Sequence, residues 1–184
     1  ETLFVGDITS WDVSSVQNFS YMFQDDVSFN QNIGSWDVSS AVTMEYMFGG
    51  ASGFQAGGTQ SFANTNLISW DVSGVLNFNN MFIGCNFISL GLRSWDVSGA
   101  SIMTDMFFSC NFFNEDIGSW DVSNVVDMVS MLENCSAFSQ DISSWDVSSV
   151  INMQNMFKDA KVFNADLSGW DVSTVVGMRS MFED

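Results

Sequence analysis

The sequence predicts an α/β solenoid: a single domain over residues 1–184, made of seven strand–helix repeats of about 25 residues with a parallel sheet on one face. Three observations carry this expectation. The tetrapeptide Trp-Asp-Val-Ser begins at Trp11, Trp36, Trp70, Trp95, Trp120, Trp145 and Trp170, with five intervals of 25 residues and one of 34. Apolar residues flank each Trp with a strand-like alternation, and a helix-like apolar stripe follows it. A unit this short cannot bury its own apolar face, whereas stacked copies bury a continuous one.

With Trp as position 0, position −3 holds Ile8, Ile33, Leu67, Leu92, Ile117, Ile142 and Leu167, and +2 holds Val13, Val38, Val72, Val97, Val122, Val147 and Val172. Apolar side chains at −3, 0 and +2 with polar residues between read as a short strand, Trp and Val inward and the Asp at +1 outward. The Ser at +3, as in Ser14, Ser123 and Ser148, is placed to cap a helix. Behind it run Val125, Met128, Met131 and Leu132 in one unit and Val150, Met153, Met156 and Phe157 in the next, close to a 3.6-residue period. An aromatic anchor at +18 closes the unit at Phe29, Phe113, Phe138 and Phe163. Packed helices need more room than paired strands, so the stack is expected to curve with its strands on the concave side.

The longer interval, from Trp36 to Trp70, holds a Gly-rich stretch around residues 49–60 that reads as a loop inserted into the stack. Three cysteines, Cys85, Cys110 and Cys135, share one position of successive units. They read as a small buried column, although one disulfide between neighbours is geometrically conceivable.

Composition narrows the function. Four Lys and Arg against 22 Asp and Glu give a net charge of −18, which repels phosphate backbones and anionic membranes and invites cations or basic partners. Nucleic-acid binding is therefore not expected. No apolar run is long enough to cross a membrane as a helix, so membrane insertion is not expected either. No His is present to complete a transition-metal site with the Cys column.

The outward Asp residues form the chief candidate site: Asp12, Asp37, Asp71, Asp96, Asp121, Asp146 and Asp171, a ladder of like charges at rung spacing. Such a ladder needs relief, from solvent and hydrogen bonds or from bound cations, with Ca²⁺ the favoured ion because it accepts carboxylate, hydroxyl and carbonyl oxygens flexibly. Asp116, Asp141 and Asp166 form a second short column at −4. Two sequons, at Asn18 and Asn134, are candidate glycosylation sites. No catalytic or cofactor-binding residues are assigned, because an active site should break a repeat and these Asp residues recur in every unit. The chain is expected not to be an enzyme.

The unit from Asp141 through Ile142, Trp145, Asp146, Val147, Ser148, Val150, Met153 and Met156 to Phe157 resembles the bacterial surface protein 26-residue repeat, a family similar to the BspA-like leucine-rich repeats, whose L-x-x-L-x-L spacing is matched here by Ile-x-x-Trp-x-Val. The resemblance implies a leucine-rich-repeat-like solenoid and an extracellular or cell-surface role, often adhesion, without catalytic residues.

Asp184 falls at +14 of the last unit and Glu1 is in phase with +15, with no distinct cap at either end. The array is therefore expected to be an excerpt of a longer one, or chains that stack end to end. The leading functional expectation is a non-enzymatic extracellular structural protein that polymerises head to tail into a filament. The alternative is a surface adhesin module binding protein or glycan, through Ca²⁺, on its acidic strand face.

Overall fold

A computed structural model describes residues 6–27, 29, 31–51, 66–85 and 89–184. The units stack in register, each forming one rung named here by its tryptophan. They are not strand–helix units. Among the described residues the sole helix is a single 3₁₀ turn, Leu92–Ser94, and the pairing between rungs consists of isolated parallel bridges along Asn18, Thr43, Asn77, Ile102, Asp127, Asn152 and Gly177. The strand–helix, leucine-rich-repeat-like solenoid with its parallel sheet and concave strand face is thus corrected to a stack of turns.

The local reasons are visible rung by rung. Where a strand is expected, two turns stand. The Trp N–H donates to the carbonyl at −3, as Trp120 does to Ile117 at 3.1 Å, and the residue at +5 donates to the carbonyl of Val at +2, as Val125 does to Val122 at 2.9 Å. Trp and Val still point inward, because the turns aim both at the same interior.

Where a helix is expected, the backbone alternates between two kinds of partner. In the Trp95 rung, Met103, Asp105, Phe107 and Ser109 donate to the next rung, to Asp127 at 3.0 Å, Val129 at 2.9 Å, Met131 at 3.0 Å and Glu133 at 2.8 Å. The alternate residues Met106, Phe108 and Cys110 donate three positions back to Met103, Asp105 and Phe107. An α-helix would require every N–H to reach four residues back. Here half of them are committed to the neighbouring rung.

The alternation depends on left-handed residues at two positions per rung. Tyr21, Tyr46, Asn80, Asp105, Ser130, Asn155 and Ser180 at +10, and Asp25, Gly50, Gly84, Ser109, Asn134 and Asp159 at +14, all have φ between 50° and 71°. A left-handed residue every four positions forbids a right-handed helix, and Asn, Asp and Gly tolerate that region best. The stripe that mimics a helical period, Val125, Met128, Met131 and Leu132, is fully buried all the same, since consecutive turns return to the interior at nearly the same interval.

The core runs the length of the stack. Trp36, Trp70, Trp95, Trp120 and Trp145 are each 3% exposed, whereas Trp11 is 49% exposed, so the expected column of seven buried tryptophans lacks its first member. Neighbouring indoles lie nearly parallel, with Trp70 to Trp95 at 6.4 Å and Trp95 to Trp120 at 6.5 Å between ring centroids. A second aromatic file, Phe48, Phe82 and Phe107, stacks at 5.6 and 5.7 Å, and the anchors Phe113, Phe138 and Phe163 form a third. The three cysteines are buried and free. Each Sγ–H donates to a carbonyl one rung back, Cys110 to Phe82 and Cys135 to Phe107, both at 3.0 Å.

Gly49, Gly50 and Ala51 occupy ordinary rung positions: Gly50 donates to the Ile83 carbonyl at 2.8 Å, Ala51 donates back to Phe48 at 2.9 Å, and Ala51 is fully buried. Residues 52–60 of the expected loop lie outside the described residues.

Candidate functional site

The Asp column takes its geometry from one local device. The carboxylate at +1 accepts from the backbone N–H two residues on, Ser14 to Asp12, Ser39 to Asp37 and Ser73 to Asp71, each at 3.1 Å. The same serine hydroxyls reach the same oxygens at 2.6, 2.6 and 2.7 Å. Asp96, Asp121, Asp146 and Asp171 repeat the contact with Ser98, Ser123, Ser148 and Ser173 at 3.0 Å. These are Asx-turns. The Ser at +3, expected to cap a helix, is instead the donor that fixes the Asp.

Two further columns use the same device. At −4, Asp116 accepts from Gly118, Asp141 from Ser143 and Asp166 from Ser168. At +7, Asn18, Asn77, Asp127 and Asn152 accept from Ser20, Asn79, Val129 and Gln154. The +7 column is not evident in the sequence because Ile102 and Gly177 interrupt its Asn, Asp and Thr residues. The signal that finds it is a short side-chain acceptor at a fixed offset, whatever its charge.

The electrostatics follow. Asp12, Asp37, Asp96, Asp146 and Asp171 are held below the usual carboxylate range, first by the serine hydroxyl and then by the serine N–H. Repulsion from the neighbouring rung, Asp12 on Asp37 and Asp171 on Asp146, is a smaller opposing effect. At those five residues the charge is therefore relieved within the turn. Among the described residues no three acidic or Cys side chains converge as metal ligands would, so the structure does not bring the seven Asp together into a multidentate cation site.

Buried acidity lies elsewhere. Burial first, then Glu133 and Asp127, push the half-buried Asp105 up to about 6. Glu133 is 8% exposed, accepts the Ser130 hydroxyl at 2.6 Å and faces Lys158 at 3.8 Å. Glu115 is also 8% exposed; its carboxylate takes the N–H groups of Leu90 and, at 2.7 Å, Leu92, and burial raises its pKa. It clamps the bend at Gly91, which has φ 81°. Neither acid stood out in the sequence, because Glu115 and Glu133 belong to no repeating column.

The two sequons differ in setting. Asn18 is exposed, with its carbonyl oxygen accepting the Ser20 N–H at 2.8 Å. Asn134 is half-buried in a left-handed turn, and its amide donates across a rung to the Ser109 hydroxyl at 3.4 Å.

Stack and columns together define a tandem-repeat protein whose recurrent polar residues hold its turns. The family model described as "Mycoplasma protein of unknown function, DUF285" matches residues 1–62, 57–138 and 84–184, and the chain belongs to that family. No curated protein and no solved structure matches it. No described helix is long and apolar enough to cross a membrane.

Proposed function

We propose that the chain is a non-enzymatic structural protein that stacks head to tail into a filament. The observation that carries this reading is the complementarity of the two outer rungs. At each internal interface the amides at +8, +10, +12 and +14 of one rung donate to the carbonyls at +7, +9, +11 and +13 of the next. In the last rung the amides of Met178, Ser180, Phe182 and Asp184 have no backbone acceptor among the described residues. In the first, the carbonyls of Asn18, Ser20, Met22 and Gln24 have no backbone donor there. Four donors on the last described rung thus match four acceptors on the first, a complementarity that head-to-tail pairing between copies uses and that propagates when its rotation does not close.

The apolar surfaces agree. Trp11 at 49% exposure, and Met178 and Phe182 at 43 and 61%, occupy positions that inner rungs bury. A hollow of about 160 Å³ beside Ile8, Trp11, Met22, Phe23 and Asp26 opens on the first rung. Resemblance to the bacterial surface protein repeat supports an extracellular or cell-surface setting. A Ca²⁺-dependent adhesin draws less support, since each Asp of the column is already held by its own turn.

Light scattering and negative-stain electron microscopy test the filament. Growth should depend on concentration and increase with salt, which screens the −18 charge of each copy. Phe182→Asp should block it. A monomer at high concentration and high salt would sink the reading.

A further inference from the structure

The surface carries an apolar row that the stacking reading leaves unused. Position +6 holds Val42, Leu76, Val126, Ile151 and Val176, exposed by 41, 48, 39, 52 and 86%. Ser101 stands in the row between Leu76 and Val126. These residues are locked in one file, because each +6 amide donates to the +6 carbonyl one rung back: Ser101 to Leu76, Val126 to Ser101 and Ile151 to Val126 at 2.9 Å, and Val176 to Ile151 at 2.8 Å. Isolated exposed apolar residues are ordinary on a protein surface, but a file of them aligned along one face, interrupted here only at Ser101 between Val42 and Val176, marks an interaction surface.

Charge selects the occupant. The turn from +2 to +5 holds its end Cα atoms within about 7 Å, so the Asp column at +1 and the apolar row at +6 border the same corner. On the other side stand Asp127 at +7 and Glu45 at +9. A second copy of this chain, with net charge −18, would bring like charges together along the whole row. A basic partner would bring opposite ones.

Spacing selects its form. Rungs joined by parallel bridges recur every ~4.8 Å. An α-helix presents one residue of an apolar stripe about every 5.4 Å, whereas alternate residues of an extended chain recur every ~6.7 Å. A helix therefore keeps one apolar side chain near each rung over the length of the row.

We infer that the +6 row is a docking surface for a basic amphipathic helix, its apolar stripe laid along Val42, Leu76, Val126 and Ile151 and its Lys and Arg residues reaching the Asp column. This is the helix-on-apolar-surface mode of recognition with an acidic border.

A synthetic 18-residue Lys/Leu amphipathic helix tests it, with a peptide of the same composition in scrambled order as control, by fluorescence anisotropy over a salt series. The ordered peptide should bind, and Val126→Ser with Ile151→Ser should weaken it by about tenfold or more. Val162→Ser, at a residue 53% exposed off the row, should leave binding unchanged and control for a general loss of apolar surface. Asp121→Asn with Asp146→Asn should weaken binding and flatten its salt dependence. Ile151→Ser alone serves if the double variant loses its fold by circular dichroism. Equal binding of the scrambled peptide, or indifference to the row variants, overturns the inference. So does self-association of the unliganded chain that Ile151→Ser abolishes, which would assign the row to a second copy.

Discussion

The indole N–H of Trp120 donates to the carbonyl of Leu92, one rung back, at 3.0 Å. The same bond ties Trp36 to Ile8, Trp70 to Ile33, Trp95 to Leu67, Trp145 to Ile117 and Trp170 to Ile142. The Trp column is thus both the apolar core and a rung-to-rung tether. Trp120→Ala opens a cavity and leaves the Leu92 carbonyl without this donor, and should cost about 3–5 kcal/mol. Trp11, half-exposed in the first rung, should cost far less. Thermal melts of the two variants check this, and equal losses would mean that the interior is not continuous.

Stability should peak on the acid side of neutrality. Asp105 has a folded pKa raised to about 6, so its protonated form favours the fold; that contribution is complete below the ordinary carboxylate range and is lost as pH rises through about 6. Asp12, Asp37, Asp96, Asp146 and Asp171 have lowered values, so their contribution is present above the ordinary range and is lost as pH falls. The melting temperature should therefore be highest near pH 5. Asp105→Asn should raise stability at pH 7.5 by about 1 kcal/mol, after discounting for solvent screening at a half-exposed group, and remove the loss above pH 6. Melts of both proteins from pH 3 to 8 decide it, and an unchanged alkaline limb in the variant would place the effect elsewhere.

Much of the interior was legible in the sequence. Trp at 0, Val at +2 and the stripe at +5, +8, +11 and +12 are inward because periodic burial shows directly in an apolar pattern. The backbone that delivers them was not. Met128, Met131 and Leu132 recur at a helical interval, and two consecutive turns return to the same face at that interval too. What separates the cases is the residue between them: Ser130 and Asn134 in that rung, Asn155 and Asp159 in the next, small polar residues that accept a left-handed backbone. The Asp column was legible as a column, but its task was not, since the Ser that fixes each Asp is the same Ser that would cap a helix.

The three thiols should be silent in the folded protein. Cys85, Cys110 and Cys135 are fully buried, each Sγ–H is held by a carbonyl, and burial raises all three thiols above their ordinary range. A thiol reagent at pH 8 should titrate none of them without denaturant and all three with it. Rapid modification of the native protein would show that the column opens to solvent.

Asn155 discriminates the turn stack from a helix. It sits at φ 56°, and its side-chain amide makes a long contact, 3.5 Å, to the Ser130 hydroxyl. On a helix, Asn155→Ala would stabilise and Asn155→Gly would not, because Ala is the best helix former and Gly among the poorest. In a left-handed turn the order reverses. Ala has a Cβ that crowds the following carbonyl and lacks the local hydrogen bonding of Asn, whereas Gly enters the region freely. Asn155→Ala should therefore destabilise by about 1 kcal/mol, and Asn155→Gly should match or exceed the parent. The substitution touches little of the core, so packing does not mask the backbone effect. Chemical denaturation of the three proteins gives the order directly, and a variant series with Ala most stable would restore the helix.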